Sequence, residues 1–420
     1  MINIALLGLG TVGEGVYEII KNTRKDYFSN MLNIKWVMVR NKEKAMSKGV
    51  DEAILTCDFN DILNDDEIST VVAVTGAGNT EYDFIKQSLL NKKNVVTANK
   101  EIIALHMDEL LEIANRNKVK LMFEAAVGGG IPIIASVIET VKLNHITKIY
   151  GILNGTTNYI LTKMNKEKSS FSEVLKQAQE LGFAEADPTA DIEGYDVMRK
   201  ISILSSIAFK TMIKQEDIHV RGISNITKED IEFASSMGYN IKFFAQGLNI
   251  DGGYSVSVTP VFLKENSVVS NVDEEYNIIV IYGDIIGQLC FMGKGAGKEA
   301  TADAVVHDVL KVIANDSSYD NLTFNKNVKS SGLNGITNEY YIRADIDTTK
   351  VFDDILDLVD GYISKNKIYY QSNKLFFITE KISSIKMKEL YMNLNNISSN
   401  VFYARLQNEM IWGRLKYVWE

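Results

Sequence analysis

Two cysteines and three prolines in 420 residues are few enough to shape the whole reading. Cys57 and Cys290 cannot build a disulfide framework, and neither stands in a CxxC or a Cys/His cluster, so a reducing, cytoplasmic setting is expected. Long apolar runs are missing too. No stretch of about 18 apolar residues occurs, and no membrane span is expected. A basic surplus is absent: 45 Lys+Arg face 54 Asp+Glu, for a formal net charge of −9, which argues against a nucleic-acid partner. There is no low-complexity tract and no short-period repeat. Residues 1–16 are apolar but lack a positively charged start, so they read as a buried strand entering a helix and not as a signal peptide. The remainder is ordinary globular material, 46% hydrophobic and 24% charged, and its length suggests roughly two to three domains.

What is present begins at once. Ile2–Leu7 is an apolar run of strand length that stops at Gly8-Leu9-Gly10-Thr11-Val12-Gly13, and Val16, Ile19 and Ile20 follow at helical spacing. A G-x-G-x-x-G between strand and helix is where a dinucleotide needs it: Gly8 for the tight turn, Gly10 for backbone approach to a pyrophosphate, Gly13 for close helix–strand packing. Free N–H groups at the helix start then face the phosphates. A second strand, 34–39, ends in Arg40, with Lys42 and Lys44 just beyond. An NAD site usually carries an acid there. An arginine can instead fork onto a 2′-phosphate, which favours NADP(H) over NAD(H). Strands at 71–74, Asn94–Thr97 and 119–123 alternate with helices at 81–90 and 107–116. This alternation predicts an α/β, Rossmann-type doubly wound parallel sheet.

Two strand ends carry unusual chemistry. Lys100 in Thr97-Ala98-Asn99-Lys100 is expected to point into the crevice, and a glycine run follows Glu124 in Glu124-Ala-Ala-Val127-Gly-Gly129-Gly-Ile131-Pro132. Bare carbonyls beside one carboxylate suit a hard cation, although, taken alone, a glycine-rich hinge is the better explanation of the run. Further on, the loop 151–159 offers hydrogen-bond donors at a helix start. The segment 185–200 then packs Glu185, Asp187, Asp191, Glu193, Asp196, Arg199 and Lys200 before an apolar helix. Asp196 and Lys200 share a helix face at i, i+4. Acids and a lysine entering a buried helix are costly unless they serve a site. A lysine among carboxylates can exchange the proton that accompanies hydride transfer. A second glycine turn, Gly293-Lys294-Gly295-Ala296-Gly297, opens another helix and is either a further cofactor contact or a return of the chain onto the first domain.

In order along the chain, GLGTVGEGV, TANK (97–100), FEAAVGGGIP (123–132), NGTTNYIL (154–161), the run EADPTADIEGYDVMRKISIL (185–204) and GAG-x-x-x-TA-x-AV (295–305) resemble the homoserine dehydrogenases over about residues 1–315. The resemblance implies reversible NAD(P)-dependent hydride transfer between L-homoserine and L-aspartate 4-semialdehyde, in threonine, methionine and isoleucine synthesis. It implies Lys200 as proton donor and acceptor, Asp196 orienting substrate beside it, Glu185 on the substrate amino group, Asp191 as a further substrate contact and Lys100 near the nicotinamide. It implies cofactor contacts at Gly8, Gly10, Thr11, Val12, Gly13, Arg40, Thr75, Lys100 and Gly295. A sodium ion at Glu124, Val127, Gly129 and Ile131, mostly on backbone carbonyls, and a homodimer or homotetramer are implied as well. Two positions depart from the family pattern: the strand end Val74-Thr75-Gly76 lacks an acid, and Ala300 replaces a frequent proline.

The expected division is a dinucleotide domain at 1–132 with a return segment near 293–318, an α+β substrate and dimerisation domain at 133–292, a linker at 319–338 and a C-terminal domain at 339–420. In that last part, strands at 340–346, 367–371, 374–379 and 401–406 and helices at 351–363 and 384–394 give the order βαββαβ, which resembles an ACT domain. Its first turn, Asp347-Thr348-Thr349-Lys350, lacks the glycine that effector binding usually needs, so a packing or dimerisation role is expected. Two rivals remain. A phosphorylating semialdehyde dehydrogenase would need a cysteine nucleophile, and neither cysteine looks placed for it. A non-catalytic sensor would have no use for Lys100, Glu185, Asp196 and Lys200 together.

Overall fold

The computed structural model describes residues 1–407, except Ala77, Asp251, Asn321 and residues 333–335, and gives only the backbone for 364–367. Residues 408–420 of the expected C-terminal domain, parts of the expected linker and Ala77 of the third strand's loop therefore lie outside the described residues. The chain divides into two compact units. One comprises Met1–Ile149, Arg199–Gln215 and Ile279–Val328, the other Tyr150–Met198, Glu216–Ile278 and Lys329–Glu420. Among the described residues, no helix is long and apolar enough to cross a membrane.

The first unit is built on six parallel strands: β1 Ile2–Leu7, β2 Leu32–Met38, β3 Leu55–Thr56, β4 Ile68–Ala73, β5 Asn94–Thr97 and β6 Leu121–Met122. Their order is β3-β2-β1-β4-β5-β6, the doubly wound order expected, with the direction of winding reversing between β1 and β4. Helices cover such a sheet on both faces, which is why Ile4–Leu7 and Val71–Ala73 are all fully buried and read as unbroken apolar runs. The strand β3 escaped the sequence reading. At two residues it is too short to show a period; Cys57 follows it directly. The helix expected at 107–116 begins earlier. It is Lys100–Asn117, capped by Asn99, whose side chain accepts from Glu101 and Ile102 N–H.

Late in the chain, helix Lys298–Ile313 returns to this unit. Lys298 Nζ reaches Glu14 at 2.8 Å and Glu18 at 2.9 Å. A Cβ on Gly15 would fall 2.8 Å from Ala302 Cβ. The second glycine turn is thus a return of the chain.

In the second unit, Tyr239–Ile250 and Gly253–Lys264 form an antiparallel hairpin paired along its full length. The strand Val401–Gln407 adds to Gly253–Lys264 in parallel. It is the last strand of the C-terminal module, whose strands Tyr340–Asp345, Ile363–Gln371, Lys374–Thr379 and Val401–Gln407 alternate with helices Thr349–Val359 and Ser384–Asn395. The order βαββαβ is as expected. The module's strands lie 4-1-3-2, the split βαβ arrangement. Every second residue of its first and last strands (Tyr340, Ile342, Ala344; Val401, Tyr403) faces Ile355, Val359, Met387, Leu390 and Leu394 from the two helices. The other face of the first strand carries a buried ion pair. Arg343 Nε reaches Asp230 at 3.0 Å, with the Tyr341 hydroxyl on the same carboxylate at 2.6 Å, which bolts the module to helix Lys228–Ser236.

Candidate active site

The glycine turn after β1 and the end of β4 frame a cavity of about 630 Å³ at the winding reversal. Gly8, Gly10, Arg40, Lys44, Lys48 and Thr75 line it, and Lys42 does not. Gly13 cannot be replaced: a Cβ there would stand 2.0 Å from the Gly8 carbonyl oxygen. Helix Thr11–Glu18 starts without a side-chain cap, so the N–H groups of its first turn, which holds Thr11, Val12 and Gly13, remain available to an anion. The cavity wall is cationic at the β2 end. Arg40 is exposed, and Asn41 caps the short helix that carries Lys44. Lys48 pairs with Glu14, whose carboxyl is held down at about 2 by Lys298 and Lys48.

The acid missing from the end of β4 is supplied from the next helix. Glu81 is fully buried; it accepts from the Thr75 hydroxyl at 2.5 Å and from Gly76 N–H at 2.6 Å. Thr97 at the end of β5 reaches the same carboxylate at 3.4 Å. Sequence reading missed Glu81 because it lies six residues past Thr75 on an otherwise amphipathic helix; a buried acid there has no periodic signature. Lys100 is the first residue of its helix. A cation at a helix N-terminus opposes the macrodipole, typically by about 0.3–1 kcal/mol, so this position is held for something other than helix stability. Next to it, Glu101 pairs with Arg199 at 3.2 Å, which brings the Lys100 helix start to the segment holding Lys200.

Lys200 sits on helix Tyr195–Phe209, only 7% exposed, one turn after Asp196, which is 3% exposed. Gly194 lets this helix start where it does: its φ is +90°, and a Cβ would meet Phe243 at 2.8 Å. Around Asp196 the second unit builds a clamp. Asn154 Nδ2 donates to Asp191 Oδ1 at 2.8 Å and to Asp196 Oδ2 at 2.9 Å, while its Oδ1 accepts Thr157 N–H and caps helix Gly155–Glu167. Thr156 donates to the Phe183 carbonyl at 2.7 Å and Tyr159 stacks on Phe183, tying the segment before Glu185 to the same helix start. Glu185 itself is exposed, and its carbonyl accepts from Gln179 at 3.1 Å. Asn158 turns elsewhere. It donates to the Val272 and Tyr276 carbonyls and accepts from the buried Lys242, so this part of the NGTTNY motif is architectural.

The loop 124–131 meets the sodium expectation only in part. Both Glu124 oxygens are engaged, by Ile134 N–H at 2.7 Å and Ala135 N–H at 2.9 Å. The Tyr319 hydroxyl is 3.2 Å and the Lys311 ammonium 3.5 Å from Oε2. Lys311 also pairs with Asp308 at 3.2 Å, whose carboxyl burial pushes up to about 7 against the pull of Lys311. A carboxylate so committed, beside an ammonium, does not fit a cation ligand. Gly128 and Gly129 take left-handed conformations, and Gly130 N–H donates to the Lys294 carbonyl at 3.2 Å, next to the buried Gly295. Among the described residues no cluster of three His, Cys, Asp or Glu could hold a metal. The Ile131 carbonyl accepts Ile133 N–H at 2.7 Å.

A doubly wound sheet with this glycine turn and cavity, in a chain that also carries a buried Asp–Lys pair, defines a nicotinamide-dinucleotide oxidoreductase. The model of the homoserine dehydrogenase NAD-binding domain matches residues 8–124, and that of homoserine dehydrogenase matches residues 132–310. The homoserine dehydrogenase of Bacillus subtilis is 41% identical over 338 residues, 78% of each chain. The crystal structure of a homoserine dehydrogenase from Thiobacillus denitrificans superposes with a TM-score of 0.87 at 32% identity, covering 97% of this chain and 98% of that one. A hyperthermophilic archaeal homoserine dehydrogenase mutant, solved in complex with NADPH, gives 0.64 at 26% identity over 75% of this chain and 98% of that one. The chain belongs to the homoserine dehydrogenases.

Proposed function

We propose that this NAD(P)-dependent homoserine dehydrogenase works by direct hydride transfer with Lys200 exchanging the hydroxyl proton and with NADP(H) as the preferred dinucleotide. The observation that carries the reading is the buried Lys200 one helical turn from the buried, clamped Asp196. When bound, the dinucleotide supplies the hydride acceptor for L-homoserine or the donor for L-aspartate 4-semialdehyde. Lys200 takes the proton from the substrate hydroxyl, or returns it to the forming alkoxide. Asp196 orients the substrate beside it and Asp191 makes a further contact, both fixed by Asn154. Glu185 binds the substrate ammonium, and its exposure leaves it available to do so. Lys100 lies near the reacting carbons.

Gly8, Gly10, Thr11, Val12, Gly13, Thr75 and Gly295 contact the dinucleotide, and Arg40 forks onto its 2′-phosphate, helped by Lys44 in the same cavity wall. The NADPH in the archaeal relative supports that preference. Sodium is held by carbonyls of Val127, Gly129 and Ile131, with Glu124 capping the following helix; no step of the reaction runs through it. In this reading 1–132 with 293–318 form the dinucleotide domain, 133–292 the substrate and dimerisation domain of a cytoplasmic homodimer or homotetramer, and 319–338 a linker. The module from 339 onward is ACT-like and kept for packing: its first turn, 347–350, has no glycine. Absorbance at 340 nm with L-homoserine and either NADP⁺ or NAD⁺, with and without sodium, tests the proposal. Turnover favouring NADP⁺ supports it. Turnover favouring NAD⁺ removes the role of Arg40.

A further inference from the structure

Where the C-terminal module meets strand Gly253–Lys264, the second unit encloses a small pocket of about 40 Å³. It is distinct from the cavity at the first turn of the module, lined by Asp347 and Thr348. Its polar lining includes His219, Arg221, Asn338, Tyr340, Ser384 and Arg405, and no aspartate or glutamate among the described residues. Room of this size takes a few water molecules or one ion of comparable bulk.

Among the described residues, no carboxylate in the pocket lining offsets the charge of Arg221. Arg221 donates to the Tyr403 carbonyl at 2.5 Å, and its guanidinium lies 3.4 Å from the centre of the Tyr403 ring. Its Nε is buried with no hydrogen-bond partner among the described residues, although the residue as a whole is only half-buried. The groups acting on it electrostatically are Tyr403, Tyr391 and Tyr340, none of them a carboxylate, and burial weakens its hold on its proton. Asn338 Nδ2 is a second buried donor without a partner among the described residues. Nearby, burial, then Arg221 and Lys388, push the His219 imidazole down to about 4, so it stands neutral beside these cations. A ring face and one carbonyl offset only part of the cost of burying a guanidinium. An unsatisfied N–H on a charged group adds to that cost. Arg221 and Asn338 both line the pocket and, among the described residues, no carboxylate does, which is the chemistry of an anion site.

We propose that this pocket binds a small anion, of halide or monocarboxylate size, held by Arg221 and Asn338, and that the bound anion strengthens the docking of the C-terminal module onto strand Gly253–Lys264. The site is separate from the dinucleotide cavity and owes nothing to the catalytic reading.

The test uses the full chain at constant sodium and constant ionic strength, with bulky gluconate as the reference anion, so that cation effects cannot enter. Melting temperature is followed as chloride, formate, acetate or phosphate replaces gluconate. The expected result is a saturable rise with chloride or formate. The variant Asn338→Leu should raise the half-saturating concentration by about tenfold or more, the scale of one charge-assisted hydrogen bond. A rise with chloride alone identifies an inorganic halide as the occupant; a rise with formate and acetate alone identifies a carboxylate. Bromide diffused into crystals should give an anomalous peak beside Arg221, a readout that needs no variant. A linear, non-saturating response that is the same in Asn338→Leu, with no bromide peak, overturns the proposal.

Discussion

Asn154 donates one amide proton to Asp196 at 2.9 Å and the other to Asp191 at 2.8 Å, while its carbonyl oxygen caps the helix that begins at Gly155. One side chain thus sets both a helix start and the spacing of two carboxylates. The two duties separate by mutation. Asn154→Ser keeps an N-cap oxygen, so stability should fall by no more than about 1 kcal/mol. The serine has no amide to bridge the acids, so kcat/KM for homoserine should drop about tenfold to hundredfold with dinucleotide affinity unchanged. Steady-state kinetics beside urea unfolding checks this; equal losses in both would mean that Asn154 is only a cap.

Arg40 closes β2 at a cavity wall that also carries Lys44 and Lys48. Arg40→Ala should raise the KM for NADP⁺ about tenfold or more and leave that for NAD⁺ within a few-fold, because only the former carries the 2′-phosphate. Parallel loss with both cofactors would show that Arg40 contacts the adenine or the ribose but not a phosphate.

Glu124 joins two backbone N–H groups, Tyr319 and Lys311 in a buried cluster with Asp308. Its removal leaves the Ile134 and Ala135 N–H groups and the Tyr319 hydroxyl without this acceptor, while Lys311 keeps Asp308 at 3.2 Å. Glu124→Ala should therefore lose about 1–3 kcal/mol in urea unfolding, the scale of leaving buried donors unsatisfied. Sodium should not restore it. Full stability together with a new sodium requirement would identify Glu124 as a cation ligand.

His219 has its pKa lowered from 6.5 to about 4 by burial, by Arg221 and by Lys388. The folded state resists the proton that the unfolded chain accepts. The contribution is therefore intact above pH 6.5 and is lost as pH falls from there toward about 4. Arg405 and the hydroxyls of Tyr340 and Ser384 share the pocket, and among the described residues no carboxylate lines it to counter the effect. In His219→Gln the melting temperature should fall less steeply over this window than in the wild type. Identical slopes would mean that His219 is hydrated in solution.

The parts of this architecture with strong local rules were readable from the chain. β1, β5 and the glycine turn follow from unbroken apolar runs and backbone necessity at Gly13, and the βαββαβ order from alternation such as Tyr340, Ile342, Ala344. Lys200 and Asp196 stood out because charge entering an apolar helix is expensive. What escaped depends on contacts distant in sequence. The pairing of β3 with β2 is two residues long. Glu81 becomes legible only when its helix folds over Thr75 and Gly76. Glu124 reads as a cation ligand until Lys311 arrives from 187 residues away. The loop 151–159 showed only donors at a helix start, and the hold of Asn154 on Asp191 and Asp196 spans 37 and 42 residues.

The most direct test of the account is the turnover of Lys200→Met with L-homoserine and NADP⁺, measured beside NADPH binding by fluorescence. Methionine keeps the length and apolar stem of a side chain that is only 7% exposed but cannot carry the proton. The account predicts a fall in kcat of about 10²–10⁴-fold with NADPH affinity unchanged. A kcat within a few-fold of the wild type would contradict it and remove Lys200 from the proton transfer.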